Sequence, residues 1–278
     1  MTQRLPTERE KPMRSTFEPD VVHALQKQVD EQGYAVLRGV VPRHSLAQYA
    51  STVSEEYEKA PKFKGGGTVT GHLNCFPGRS ARFAWDELEA SGLVDAVYAM
   101  RAGRPNQMRV TMNFNLAGSV AQHYHIDGAY LDDFLICNLA VVDTTLINGA
   151  IDLLPGTNRE FMPFWKYALT RQYKKSTRLE MQAGDVLLRK SNLWHRGMPN
   201  KSKVARPLLS FTFGEKGAPE GDPFEVNNGD FEFYANWYRT SRAGRARERT
   251  FKMFPLSYSA YRFATSLRDS KRGYASWD

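Results

Sequence analysis

The sequence contains few cysteines and no long apolar run, and both features narrow the class of protein. Cys75 and Cys137 are the only cysteines in 278 residues, and neither belongs to a CxxC pair. Two cysteines are too few for a disulfide framework, which favours a reducing compartment. No apolar run approaches the roughly 18 residues that a membrane span needs. The first residues are charged and polar and lack the apolar centre of a secretory signal. We therefore expect a cytoplasmic protein.

Positive charge is concentrated toward the C-terminus. The net charge is +8, and the residues from Arg239 onward include ten Lys and Arg but three Asp and Glu. One interpretation is a solvated, partly helical tail. The other is a surface for an anionic partner, such as a phosphorylated substrate, a nucleic acid or a membrane, so the protein could be peripheral to a membrane. Aromatic residues interleave these charges and are compatible with either interpretation: Tyr238, Phe251, Phe254, Tyr258, Tyr261 and Phe263.

Helical patterns dominate the first hundred residues. Residues 1–15 have the composition of a disordered segment. Residues 17–33 form an amphipathic pattern that ends at Gly33, where glycine can adopt the left-handed cap conformation. Residues 61–78 contain three consecutive glycines and are predicted to be a loop, and residues 85–103 are predicted to form a single helix.

The pattern then changes to short strands separated by turns. In the segment QMRVTMNFNL, Arg109, Thr111, Asn113 and Asn115 fall on one face and apolar residues fall on the other. Such a polar row faces solvent in an ordinary sheet, whereas in a barrel that binds a polar ligand it lines the pocket. Leading helices followed by about eight strands predict a β-barrel or sandwich with a helical layer outside it.

The segment QHYHID contains two candidate metal ligands, His125 and Asp127. Residues two positions apart on a strand project from the same face, so both can reach one ion. His195 is the best candidate for a third ligand, because the strand-like run AGDVLLRK precedes it. Two histidines and one carboxylate form the facial triad of non-haem Fe(II) oxygenases. The simpler alternative is that each histidine is a satisfied core or loop residue.

Arg206, in VARPLLSFTF, supports the metal-site interpretation. Turn-forming residues precede it, and they predict a hairpin that places His195 opposite Arg206 on a shared face. An arginine beside a metal can hold a carboxylate through two parallel hydrogen bonds.

Together these segments resemble the phytanoyl-CoA dioxygenase (PhyH-like) branch of the Fe(II)/2-oxoglutarate oxygenases. The resemblance covers roughly residues 16–215 and rests on EQGYAVLRGVVPRHSLAQYA, QHYHID, NGAIDLLPGTNRE and GDVLLRKSNLWHRGMPNKSKVARPLLSFTF, in the family's order. It implies a mainly β fold with flanking helices, in which an N-terminal helical layer covers a double-stranded β-helix (jelly-roll, cupin-like) core. It also implies Fe(II) held by His125, Asp127 and His195, and 2-oxoglutarate held by Arg206.

Two positions depart from the family's pattern. Asn158 replaces the histidine that usually follows the PGS/T motif, and Gly197 replaces a Ser or Thr that often holds the cosubstrate. We therefore expect the second 2-oxoglutarate contact to come from Asn113 or Thr111. The intact Asp127 argues against the halogenase variant of the site.

The reaction implied by the resemblance is hydroxylation of an unactivated C–H bond by O₂, with 2-oxoglutarate decarboxylated to succinate and CO₂. The polar strand face and the net positive charge favour a polar, anionic small molecule, and we expect Arg109 and Tyr130 to line its pocket.

Residues 216–278 would form a basic, aromatic-containing extension, packed on the core or trailing it. The alternatives are a non-catalytic jelly-roll binding protein and an oxygenase acting on nucleic acid or on a membrane-associated glycan or lipid. No nucleic-acid module is visible, and the sequence does not specify an oligomeric state.

Overall fold

The computed structural model describes residues 17–60, 70–100, 108–132, 134–215, 218, 220–235 and 241–268. The segment predicted to be disordered, residues 1–15, lies outside this part of the chain. The described helices are α1 (Pro19–Gln32), α2 (Arg43–Lys59), α3 (Arg82–Ala90), α4 (Leu93–Met100), α5 (Phe164–Leu169), α6 (Arg242–Met253) and α7 (Leu256–Arg268). The described strands are β1 (Tyr34–Leu37), β2 (His72–Phe76), β3 (Met108–Asn115), β4 (Leu135–Ala140), β5 (Ile151–Leu153), β6 (Thr177–Leu179), β7 (Val186–Lys190), β8 (His195–Gly197), β9 (Arg206–Phe213) and β10 (Glu232–Ala235).

Two antiparallel sheets build the core. Seven of the described strands form the larger sheet in the order β1-β7-β4-β9-β3-β2-β10, and the other three form the smaller sheet in the order β6-β5-β8. Residues from both sheets line one cavity. The fold is a double-stranded β-helix, so the predicted fold class is confirmed.

Strand β3 shows why the larger sheet has one face toward a core and one toward the cavity. Its buried side chains alternate with partly exposed ones, and the core cluster includes Met112 and Phe114. The same cluster contains residues of the first four helices, among them Leu46 of α2 and Leu88 of α3. The apolar face therefore packs against the predicted helical layer, which leaves the polar face of β3 for the cavity.

Two local predictions in the N-terminal half were wrong. The single helix predicted over residues 85–103 is two helices, α3 and α4, because Gly92 between them adopts a positive φ of 78°. The predicted loop over residues 61–78 contains β2, which pairs with β3 and β10. A five-residue strand flanked by glycines carries too short a pattern to be distinguished from a loop.

The described part of the C-terminal segment packs on the core. Strand β10 joins the edge of the larger sheet through β2, and α7 packs against α5. Arg262 of α7 is buried, stacks over Phe164 at 4.3 Å and donates to the Tyr124 carbonyl. On α6, the buried Glu248 accepts hydrogen bonds from both the amide and the hydroxyl of Thr70, each at 2.9 Å. The domain boundary after residue 215 stays a prediction. None of the helices that the structure describes is long and apolar enough to cross a membrane.

Candidate metal centre and its cavity

The three predicted metal ligands lie together at one place. One ligand atom from each of His125, Asp127 and His195 lies within 4.8 Å of the others. Nε2 of His125 lies 3.7 Å from Oδ1 of Asp127, and Nε2 of His195 lies 3.7 Å from Oδ2. Both histidines are buried and the aspartate is partly buried. His195 belongs to β8, and a backbone bridge joins His125 to it. The spacing is suited to three donors around one ion.

Hydrogen bonds orient the two imidazole rings for this purpose. Nδ1 of His125 donates to the His123 carbonyl at 2.9 Å, and Nδ1 of His195 donates to the Leu193 carbonyl at 3.0 Å. Both Nε2 atoms are therefore the unprotonated nitrogens that a metal needs. Burial lowers the pKa of His125 to about 4 and also holds the pKa of His195 well below its ordinary value. Both rings are consequently neutral at pH 7.

Asp127 is ionised and anchored. Its amide donates to the Ser191 carbonyl at 2.8 Å, and its Oδ2 accepts from Nη2 of Arg189 at 2.6 Å. Burial alone would raise the pKa of Asp127, but the charges of Arg189, His195 and His125 and the hydrogen bond from Arg189 together outweigh it, and the pKa lies well below the ordinary value. The carboxylate therefore brings one negative charge to the centre.

Arg206 lies in the same cavity as the trio, but the predicted hairpin is wrong. His195 is in the smaller sheet, whereas Arg206 begins β9 of the larger sheet, opposite Asn115 of β3. The two residues therefore reach the cavity from different sheets. Arg206 is 1% exposed, and its Nη2 donates to the Gly149 carbonyl at 3.1 Å. Its Nε and Nη1 are buried without a hydrogen-bond partner in the structure.

Three of the four residues in the polar row predicted on β3 line the cavity, whose volume is about 590 Å³; the fourth, Asn115, is buried and is not among the lining residues. Thr111 and Asn113 are both among the lining residues, as expected for side chains on the inner face. Arg109 also lines the cavity, where its Nε donates to Glu215 at 2.8 Å. The volume is within the range usual for small-molecule pockets.

Tyr130 is not among the described residues that line this cavity. Its hydroxyl donates to the Asn158 carbonyl at 3.0 Å, and its ring contacts Phe161. The structure thus places it among the aromatic residues beside the metal-ligand segment. The role of Tyr130 as a pocket residue stays a prediction, and the location of its side chain outside the cavity lining does not support it.

Several lining residues were not found from the sequence. The smaller polar ones come from β2, β4 and β9, where Asn74, Asn138, Ser210 and Thr212 share the inner face. Arg189 is the most unexpected, because it is a charged residue inside the buried strand β7. An arginine that directly follows three apolar strand residues was the one signal that could have identified it.

Gln122 occupies the space beside the unusual glycine at position 197. Its Oε1 accepts from the Gly197 amide at 2.7 Å, and a Cβ added to Gly197 would lie 2.7 Å from that same oxygen. A Ser or Thr at position 197 would therefore collide with Gln122 in its present position. Gln122 also lines the cavity, so its side-chain amide is the polar group beside Gly197.

Comparison with known proteins identifies the family. A family model described as phytanoyl-CoA dioxygenase (PhyH) matches residues 29–208. The chain belongs to the phytanoyl-CoA dioxygenase family. The predicted family and the predicted oxygenase-type enzyme class are thereby confirmed.

Solved structures similar to this PhyH-family chain share its fold at low identity. The non-haem α-ketoglutarate-dependent epimerase SnoN from nogalamycin biosynthesis is 17% identical, with a TM-score of 0.56 over 71% of this chain and 84% of SnoN. EvdO2 from Micromonospora carbonacea var. aurantiaca, complexed with 2-oxoglutarate, is 14% identical, with a TM-score of 0.51 over 76% of this chain and 99% of EvdO2. HygX from Streptomyces hygroscopicus, with nickel and 2-oxoglutarate bound, is 16% identical, with a TM-score of 0.51 over 70% of this chain and 87% of HygX.

Proposed function

We propose that this chain is an Fe(II)/2-oxoglutarate-dependent dioxygenase that hydroxylates a C–H bond of a polar small molecule. One observation carries the proposal. The cavity combines a His-Asp-His trio, whose donor atoms converge, with a buried arginine that has two unpartnered nitrogens. Buried guanidinium nitrogens without an acceptor are costly unless a ligand supplies one, so Nε and Nη1 of Arg206 fit the distal carboxylate of 2-oxoglutarate.

The residues of this chain fit the roles that the reaction requires. His125, Asp127 and His195 would hold Fe(II) through two neutral imidazoles and one carboxylate, which leaves coordination positions for other ligands. Burial lowers the pKa of Arg206 to about 10, so the guanidinium is still charged at neutral pH and can bind a carboxylate. When bound, iron and 2-oxoglutarate supply the oxidising chemistry with O₂, and the protein supplies orientation and exclusion of water.

We propose Asn113 and Thr111 as the further contacts to 2-oxoglutarate. Both lie on the cavity face of β3, and Asn113 is two residues from Asn115, which pairs with Arg206. Their amide and hydroxyl groups can donate to a carboxylate.

For the substrate we propose a polar molecule with an anionic group, which the cavity supports in part. Its lining is rich in amides and hydroxyls, and these select polar ligands over apolar ones. Arg109 already forms an ion pair with Glu215, so an anionic group of the substrate would have to bind Arg109 alongside that carboxylate. A ligand with hydroxyl groups around the anion would use both members of this pair.

Succinate formation tests the proposed reaction. Purified protein is incubated with Fe(II), 2-oxoglutarate and O₂, and wild type is compared with His125→Ala and Arg206→Ala. We expect slow, substrate-independent succinate release by wild type and its loss in both variants. Equal release by all three proteins would contradict the site assignment. Mass spectrometry of metabolite pools treated with the enzyme then distinguishes gain of one oxygen atom from epimerisation or cyclisation, which leave different masses.

We also propose that the protein is cytoplasmic and contacts an anionic membrane through the turn between α6 and α7. Met253, Phe254 and Leu256 at this turn are 70%, 62% and 80% exposed. Arg249 and Lys252 beside them are exposed as well. Apolar residues at a tip, flanked by cations, are suited to the headgroup region of an anionic bilayer.

Sedimentation with vesicles tests the membrane proposal. We expect binding to phosphatidylserine-containing vesicles, little binding to neutral vesicles, and loss of binding in Phe254→Ser/Leu256→Ser. Leu146→Ser/Ile147→Ser removes two exposed apolar side chains elsewhere and is the matched control. Unchanged sedimentation of the turn variant would overturn the proposal. A salt-dependent gel shift with nucleic acid, without binding to vesicles, would also overturn it.

A further inference from the structure

A chain of hydrogen bonds crosses three neighbouring strands and ends on the predicted metal-ligand carboxylate. Asn138 Nδ2 of β4 donates to Ser210 Oγ of β9 at 2.7 Å, and Asn138 Oδ1 accepts from Arg189 Nε of β7 at 2.8 Å. Arg189 Nη2 then donates to Asp127 Oδ2 at 2.6 Å. The strands lie side by side in the order β7-β4-β9. Asn138, Ser210 and Arg189 are all buried, at 3%, 8% and 6% exposure.

The direction of every bond in this chain is determined by chemistry. Arg189 can only donate, so the Asn138 atom facing it must be the amide oxygen. The Asn138 NH₂ group then faces Ser210 and donates to its hydroxyl. Asn138 therefore presents a fixed acceptor to the guanidinium, and the planar guanidinium can meet both acceptors only in one orientation.

Arg189 thus distinguishes between the two oxygens of Asp127. Its guanidinium bonds to Oδ2, which lies 3.7 Å from the Nε2 of His195, and leaves Oδ1, which lies 3.7 Å from the Nε2 of His125. With one oxygen held by a guanidinium, the carboxylate offers the other to a metal and cannot turn freely. Binding through a single oxygen keeps more coordination positions open than binding through both.

We propose that Arg189 is a positioning residue, which holds the Asp127 carboxylate so that it binds the metal through one oxygen, and that Asn138 and Ser210 hold Arg189 in place. This inference rests on the proposed function, because it assigns Arg189 a task at the same metal centre. Outer hydrogen bonds of this kind typically change metal affinity by about 10- to 100-fold when removed.

Variants separate the geometry of Arg189 from its charge. Arg189→Lys keeps the positive charge but replaces the planar fork by a single nitrogen, which cannot donate to Asn138 and Asp127 in the same way. Asn138→Ala leaves Arg189 and Asp127 in place and removes the acceptor that orients the guanidinium. Arg178→Lys is the matched control: Arg178 Nε donates at 2.7 Å to a buried aspartate, Asp152, outside the metal trio.

The readouts are metal affinity and the spectrum of the bound metal. Mn(II) titration calorimetry is expected to show about a 10-fold or greater loss of affinity in Arg189→Lys and a smaller loss in Asn138→Ala. The visible absorption of Co(II)-loaded protein is expected to change in both variants, since it reports coordination geometry. Arg178→Lys should match wild type in both measurements. Thermal unfolding of each apoprotein confirms that the compared proteins are folded.

The outcomes distinguish this inference from the proposed function. Wild type that binds neither Mn(II) nor Co(II) would overturn both. Wild-type binding with unchanged affinity and spectrum in Arg189→Lys and Asn138→Ala would overturn the role of Arg189 alone. Should Arg189→Lys fail to fold, Asn138→Ala decides the question, because it leaves the ion pair to Asp127 intact. An equal loss of metal affinity in Arg178→Lys would show that disturbing any buried arginine–aspartate pair lowers the affinity, and would overturn the specific role of Arg189.

Discussion

His125 and His195 are joined by a reciprocal pair of backbone hydrogen bonds. The amide of each donates to the carbonyl of the other at 2.9 Å, and the centres of their rings lie 4.2 Å apart. The main chain, and not the side chains, therefore places the two imidazoles side by side. A substitution of either ring can remove a metal ligand while leaving the framework of the site in place.

Replacing either histidine by alanine should remove metal binding without unfolding the protein. The backbone pair does not need the side chains, so we expect His125→Ala and His195→Ala to lose about 1–3 kcal/mol of stability and to give no Mn(II) binding heat. His123→Phe is the control, since His123 accepts from His125 through its main-chain carbonyl and its ring, which packs 4.3 Å from Tyr258, is outside the metal trio. Loss of Mn(II) binding in His123→Phe would contradict the assignment of His125 and His195, but not His123, as metal ligands.

Arg206→Met should stabilise the protein without ligand and remove its response to 2-oxoglutarate. Methionine removes a buried charge with two unpartnered nitrogens, so a gain of about 1 kcal/mol in unfolding free energy is expected. Urea denaturation with and without 2-oxoglutarate measures both effects, because a ligand bound to the folded state adds stability. Arg178→Met, which breaks an ion pair to Asp152, should instead lose stability. Stabilisation of Arg206→Met by 2-oxoglutarate would refute the assigned contact.

Gly197→Ser should destabilise the protein, and a smaller residue at position 122 should restore it. The added Cβ would lie 2.7 Å from Gln122 Oε1, so Gln122 must move and lose its bond to the Gly197 amide. We expect a loss of about 1–3 kcal/mol in Gly197→Ser. In Gly197→Ser/Gln122→Ala the collision is absent and most of the loss should be recovered. Additive losses in the double variant, measured by urea denaturation, would rule out this contact as the cause.

The buried Asp152 should make a pH-dependent contribution to stability. Burial alone would raise its pKa, but hydrogen bonds from Arg178, Arg196 and Tyr124 together lower it below the ordinary value of 3.8. A depressed folded-state pKa means that the stabilisation is complete above about pH 5 and is lost as the pH falls through 3.8 and below. Asp152→Asn should therefore cost about 3 kcal/mol at pH 7, and the difference from wild type should narrow at pH 3.5.

Urea denaturation at pH 7, 5 and 3.5 checks this dependence. The exposed Asp86 provides a control, as Asp86→Asn should differ little from wild type at any of these pH values. A difference between Asp152→Asn and wild type that stays constant from pH 7 to pH 3.5 would mean that the charge of Asp152 is not the source of its contribution.

Local patterns were sufficient to identify the candidate metal ligands and the polar face of β3. The two-residue spacing of His125 and Asp127, the strand before His195 and the alternation along β3 are short-range features, and each depends only on the repeat of a strand. The left-handed conformation at Gly33, φ 84°, was likewise predictable, since the apolar pattern of α1 stops there and glycine adopts that conformation at little cost.

The partners of these residues depended on the tertiary structure. His195 and Arg206 line the same cavity, as expected, but the predicted hairpin between them was wrong. The segment that connects them crosses from one sheet to the other. Arg189 reaches Asp127 across 62 positions of sequence, and Arg109 reaches Glu215 across 106. A strand's periodicity determines which side chains share a face, but strand pairing follows from burial of the whole apolar surface. The chain's own sequence thus specified the candidate metal ligands, while packing of the two sheets decided which charges surround them.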